Sequence, residues 1–158
     1  MNQRKPAHQL IYRLTSSDTN DTNLHTNDTN NNKNMKNVDL IYPELSYKVT
    51  GILFEVHNIL GRFCTERQFC DLIESKFKDN KINYVREKNI NEEIAGDRVD
   101  FCIEDKIILE CKAKKFVTKE DYWAVQRYLQ NSGRKLCLLV NFRNTYIRPK
   151  RIVRIETN

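Results

Sequence analysis

The segment Ile107–Ala113 admits few structures. Ile107, Leu109, Cys111 and Ala113 alternate with Ile108, Glu110 and Lys112, and a strand sends alternate residues to opposite faces. One face is therefore apolar throughout, while the other sets a carboxylate beside an ammonium in mid-strand. A buried charge is costly unless it is paired or bound to a metal. A Glu–Lys ion pair on a solvated sheet face would meet that requirement by itself. A second acid alters the weighing. Asp100 lies in the preceding strand-like run, Arg98–Ile103, and Glu104-Asp105 marks the turn of a hairpin. A two-residue turn would pair Ile103 with Lys106 and set Asp100 opposite Leu109, on the wrong face for Glu110. A three-residue turn over 104–106, or a bulge, would set Asp100 opposite Glu110, with Cβ atoms roughly 4.5–5.5 Å apart. Two carboxylates so close repel unless a cation lies between them. The longer turn or a bulge is therefore expected, as is common beside active sites.

The flanking sequence supplies a scaffold for this hairpin. Val49, Ile52, Leu53, Val56, Ile59 and Leu60 recur at helical spacing from near Tyr47, and Gly61 is placed to end that helix. Thr65 with Gln68 fits a capping box, and Phe69, Leu72, Ile73 and Phe77 form the apolar face of a second helix that Asp79-Asn80 breaks. Ile82 to about Ile90 is strand-like but polar, which predicts an edge or irregular strand. Thr118 with Asp121 starts a third helix, running to about Ser132 and closed by Gly133. Leu136–Phe142 is a continuous apolar run, as a buried strand requires. The order helix, helix, three strands, helix, strand predicts an α/β fold with a central mixed sheet of about four strands flanked by helices.

Two further polar residues stand out. Gln126 falls within the inward stripe Tyr122, Val125, Leu129, where an amide needs partners. The carboxylates, a phosphate or local backbone would all serve. Glu66 lies in the first turn of the second helix, where the helix dipole alone justifies an acid. Glu55 and His57 are accounted for by a solvated helix face.

Composition limits the class. The chain of 158 residues allows one domain of ordinary size, and its 39% hydrophobic content is low enough that part of it should stay unpacked. Residues 16–37 hold eight Asn among 22 positions, with Asn-Asp-Thr-Asn at 20–23 and again at 27–30. Residues 1–43 are therefore expected to be a disordered Asn-rich tail, leaving 44–158 as the folded domain. A net charge of +6 favours a polyanionic partner such as nucleic acid, although an unspecific basic surface would give the same figure. Cys64, Cys70, Cys102, Cys111 and Cys137 are odd in number and lack a C-x-x-C pair. A disulfide framework or zinc site is thus disfavoured, and reduced, mostly buried thiols in the cytoplasm are expected. No run approaches the length of a membrane span.

Asp100, nine residues, then Glu110-Cys111-Lys112 resembles the core of the PD-(D/E)xK nuclease superfamily. More closely, the chain from about Val49 to Val153 resembles its GxxExxY family. The likeness rests on Gly51 with Glu55-Val56-His57, Leu60-Gly61, Glu66, Arg98-Val99-Asp100, Ile108–Ala113, Gln126–Leu129, Ser132-Gly133, Leu138–Phe142 and Lys150–Val153. Of the naming signature only Glu66 is kept: Phe63 stands at its Gly and Phe69 at its Tyr. The resemblance implies a restriction-endonuclease-like core in residues 44–158 and a nuclease acting on DNA with Mg²⁺ or Mn²⁺. It implies Glu66, Asp100 and Glu110 as metal ligands, with the Cys111 carbonyl as a further one. Lys112 would orient the attacking water, and Gln126 would support the site. Lys114, Lys115, Lys119, Arg148, Lys150 and Arg151 would track the phosphate backbone. The small size hints at a homodimer. A non-catalytic nucleic-acid-binding or protein-interaction module on the same fold is the alternative.

Overall fold

Residues 40–89 and 98–156 are described by the computed structural model; the expected tail, apart from residues 40–43, lies outside them, as does the end of the first expected strand at Ile90. Helix α1 spans Pro43–Leu60, starting earlier than the apolar periodicity suggests. Pro43 at the first helical position explains the difference, since its fixed φ suits a helix start and its missing N–H would have no intrahelical partner there. Gly61, at φ 69°, closes the helix and donates its N–H to the His57 carbonyl. Helix α2 spans Glu66–Asp79 and opens on the expected capping box, in which the Thr65 hydroxyl accepts from the Gln68 N–H and Gln68 Oε1 accepts from the Thr65 N–H.

Three strands follow: β1 (Tyr84–Asn89), β2 (Arg98–Ile103) and β3 (Ile107–Lys112). Helix α3 covers Lys119–Ser132, with Thr118 and Asp121 as its capping box and Gly133 in the left-handed region at its end. Strand β4 is Leu136–Asn141, buried along its whole length. A fifth strand, β5 (Lys150–Val153), was not expected and corrects the count of about four. Only four residues long, largely exposed and half basic, it carries no strand pattern of its own. Pairing with the apolar β4, from Leu136↔Val153 to Leu139↔Lys150, draws it into the sheet.

The sheet order is β1-β2-β3-β4-β5. The β3–β4 pair is parallel and the others are antiparallel, so the sheet is mixed, and the polar first strand does lie at an edge. Helices cover both faces. Phe101, Leu109, Cys111, Leu138 and Phe142 pack against α1 and α2, among them Val49, Leu53, Phe69 and Phe77. Val99, Ile108, Cys137 and Leu139 pack against Val125, Tyr128 and Leu129 of α3. Phe69 stacks on Phe142 with ring centroids 4.2 Å apart, so the aromatic at this signature position fills the core as a phenyl ring. Among the described residues no helix is long and apolar enough to cross a membrane.

Candidate active site

The register of the hairpin decides whether the acids meet. Ile103 pairs with Ile107, Cys102 with Ile108 and Phe101 with Leu109. One position further, Asp100 comes level with Glu110, as the longer turn requires. The loop is Glu104-Asp105-Lys106, with Glu104 at φ 49° and Asp105 at φ 54°. The Lys106 N–H closes a tight turn on the Ile103 carbonyl, and Lys106 is the extra residue that shifts the register by one. Asp105 is held by ion pairs to Lys88 and Arg134, and Glu104 accepts from the Asn83 backbone and side chain.

Glu110 is 6% exposed, two residues from the end of β3. Its Oε1 accepts from Lys112 Nζ at 2.6 Å, and its Oε2 is buried without a hydrogen-bond partner. Asp100 Oδ2 accepts from the Cys111 N–H at 2.7 Å, which fixes the carboxylate across the end of the β2–β3 ladder. Glu66, on the first turn of α2, accepts from the Ala113 N–H just past β3 and feels the charges of Lys112 and Asp100. Three carboxylates from two strands and a helix therefore converge on the end of β3, beside one ammonium.

The electrostatics of this group are uneven. Burial, then the charge of Asp100, pushes Glu110 up to about 7 against the opposing pull of Lys112. Burial pulls Lys112 down, but the charge and hydrogen bond of Glu110 outweigh it and hold the ammonium well above its ordinary value. An isolated ion pair would lower its acid; here the acid rises, so the pair does not neutralise the site. Asp100 and Glu66 are also raised, each chiefly by burial. Such crowding of hard oxygen donors, with one oxygen left over, fits a divalent cation of the Mg²⁺ or Mn²⁺ kind. A thiol set also meets here: ligand atoms of Cys70, Asp100 and Cys111 lie within 4.8 Å of one another. It suits a metal less well, because a ligating cysteine must be a thiolate, and burial pushes the Cys111 thiol far up.

Other expected site residues are distributed differently. Gln126 shares no hydrogen bond with the carboxylates. Its Nε2 donates to the Val153 carbonyl at 2.9 Å and its Oε1 accepts from the Ile155 N–H, so it secures the chain leaving β5. The Cys111 side chain lies in the α2-facing core. Lys115, Arg148 and Lys150 line one groove, while exposed Lys119 stands in the first turn of α3. Lys114 is paired with Asp121 at 2.5 Å. Arg151 donates to Ser46 Oγ and the Ile41 carbonyl, and so anchors the start of α1. His57, read as a solvated residue, bonds the Asn144 carbonyl and stacks on Phe142.

Sequence reasoning missed the residues around the mouth of the site. A cleft of about 760 Å³ is lined by Glu66, Cys70, Asp71, Arg86, Glu87 and Asp100, among others. Glu87 falls opposite Asp100, where the β1–β2 pairing skips a rung between Arg86↔Phe101 and Lys88↔Val99, and it takes φ 52°. Its charge opposes ionisation of Asp100 and that of Arg86 favours it. Arg86 is fixed by ion pairs to Asp71 and Glu74. The polarity of Ile82–Ile90 was the available signal, but polarity alone does not say which residue kinks.

A mixed sheet clasped by helices, with an acid–acid–lysine cluster at the end of its central hairpin, defines a nuclease-like fold. The chain belongs to the PD-(D/E)XK nuclease superfamily, whose sequence model matches residues 43–155. The superfamily is one of nucleases that usually employ divalent metals, so a nuclease-type function and a nucleic-acid substrate follow. No curated protein and no solved structure matches the chain.

Proposed function

We propose that the protein is a divalent-metal-dependent nuclease that hydrolyses phosphodiester bonds of DNA, using Mg²⁺ or Mn²⁺. The observation that carries this reading is the buried, unpartnered Oε2 of Glu110, level with Asp100 and beside the Glu110–Lys112 ion pair. Glu66, Asp100 and Glu110 would hold the ion. A bound ion of this class supplies a water of lowered pKa and offsets charge in the transition state. The chain's own groups do the rest. Lys112, kept charged by Glu110, orients the attacking water and balances negative charge gathering on the phosphate. The Cys111 N–H aims Asp100 and the Ala113 N–H aims Glu66, so both carboxylates are set before substrate arrives. Gln126 acts from a distance, by holding the strand end beyond β5.

The narrower GxxExxY assignment belongs to this reading, as do residues 44–158 as the working domain and 1–43 as a tail. A homodimer is the working unit we favour, since one small domain must both grip and cut. Cytoplasmic action suits five free cysteines.

The alternative, a binding module without turnover, draws on the same Glu110–Lys112 bond. It would be favoured if Asp100 faced away; the bond from the Cys111 N–H that holds Asp100 across the β2–β3 ladder supports the enzyme reading instead. The test is incubation of the full chain with plasmid, linear and single-stranded DNA, and with RNA, in Mg²⁺ or Mn²⁺ and in EDTA. Cleavage in metal alone is expected. No cleavage of any substrate, with calorimetry detecting no Mn²⁺ binding, would leave only the module.

A further inference from the structure

Among the described residues the three most exposed large hydrophobic side chains are Tyr146 at 81%, Phe63 at 74% and Phe116 at 68%. All three line one or other of two pockets that share Lys115, Asn144 and Arg148, which we read as two parts of a groove. Its first part, about 570 Å³, is lined by Phe63 and Tyr146 with Arg62, Lys115, Arg143 and Arg148. Its second part, about 280 Å³, shares Lys115 and Arg148 and adds Phe116, Tyr122 and Lys150. Neither part is lined by a single Asp or Glu. The cleft beside the carboxylates, by contrast, mixes Glu66, Asp71, Glu87 and Asp100 with its arginines.

The loops that present these rings are fastened to one another. Arg62 donates to Thr145 Oγ1 at 2.7 Å, and Arg143 donates to the Ala113 carbonyl. Asn141, 6% exposed, bonds both the N–H and the carbonyl of Lys114. Cations lie against the rings: the Arg62 and Arg143 guanidinium carbons are 4.8 and 5.8 Å from the Phe63 centroid, and Lys115 Nζ is 5.2 Å from that of Phe116. The groove is tied to the candidate site along the chain: Phe63 lies three residues before Glu66, in the bend that leads into α2, and Lys115 three residues after Lys112.

Outward aromatic rings interleaved with cations suit one ligand above others. Base faces stack on such rings only when bases are unpaired, whereas a duplex hides them, and the cations take the phosphates. We infer that the Phe63–Tyr146–Phe116 groove binds single-stranded nucleic acid and leads the strand to the Glu66–Asp100–Glu110 site. The inference rests on the nuclease reading for the site it feeds, but not for the binding itself. A lining whose charged residues are all basic favours a polyanion over a protein partner.

The test is fluorescence anisotropy of the full chain in EDTA, with a labelled oligothymidylate and a labelled duplex of equal length. The single strand is expected to bind more tightly than the duplex. Phe63→Ala and Tyr146→Ala should each weaken single-strand binding ~5-fold or more while barely changing duplex binding. Phe63→Tyr and Tyr146→Phe should retain it, and thermal melting checks that every variant is folded. Equal affinity for the two nucleic acids would overturn the inference, as would alanine variants that bind the single strand undiminished. Failure to bind either, with self-association that Tyr146→Ala abolishes, would make the groove a protein interface instead. Because EDTA prevents cleavage, a chain that binds single strands yet cuts nothing in Mn²⁺ keeps this inference and defeats the nuclease reading.

Discussion

Glu110 is the least balanced group of the candidate site, raised by burial and by Asp100 more than Lys112 lowers it. A carboxyl pushed up to about 7 holds its proton through most of the acid range, and a ligating carboxylate must give it up. Mn²⁺ affinity is therefore expected to climb as pH rises towards about 7, by up to about tenfold per pH unit for one released proton, and to level off above. Titration calorimetry across that range checks this. Glu110→Gln should bind weakly with little pH dependence, and wild-type affinity that ignores pH would refute the assignment of Glu110. How far such residues could be read from the sequence differed from one to the next. Glu110 and Lys112 announced themselves because two charges in an apolar strand demand an explanation. Gln126 announced itself for the same reason, as an amide in an inward stripe. Its partner, however, is backbone at the end of β5, a strand whose existence the local sequence does not signal. Glu87 was hidden altogether, since an exposed acid in a polar run has nothing unusual about it until the backbone kinks there.

At the scale of elements, helix starts and ends were the most legible features. Both capping boxes and both closing glycines act through contacts within a few residues, so local sequence specifies them. Asp121 combines two such roles, capping α3 and pairing Lys114. Burial raises its carboxyl, but Lys114 and the Thr118 N–H outweigh this and hold it below the ordinary aspartate value. An acid depressed in the folded state stabilises above its unfolded pKa of about 3.9 and loses that contribution as pH falls through the folded value. Asp121→Ala is thus expected to cost about 1–2 kcal/mol at neutral pH. Urea unfolding should show the gap to wild type shrinking once pH drops below about 4; a gap that widens there would refute the capping account. Turn length was harder to read, because periodicity fits either register and only the electrostatic argument chose between them. Lys106 is the extra residue of that loop, and Glu104 and Asp105 already take the left-handed conformations of a two-residue hairpin. Deleting Lys106 should keep Ile103 opposite Ile107 and leave Mn²⁺ binding intact. A folded deletion variant that no longer binds Mn²⁺ would contradict this register.

Among the described residues charge is divided by place. Acids gather towards the end of the central hairpin, while a separate groove is lined by basic residues and exposed rings without an Asp or Glu. The α/β order of elements and the mixed sheet could be read from hydrophobic patterning, because the buried strands and amphipathic helices carry strong periodic signals. The fifth strand could not, because its own residues carry no strand pattern and its place depends on the apolar edge that β4 offers. The same holds for the groove, which three separate loops assemble. A nuclease of this kind requires that Lys112 work at the reacting atoms rather than as half of a structural ion pair. Single-turnover cleavage of a labelled strand by wild-type protein and Lys112→Ala, both saturated with Mn²⁺, decides this. Retained metal binding with a rate lower by ~10²–10³ is expected; equal rates at equal metal occupancy would contradict a role for Lys112 at the reacting atoms.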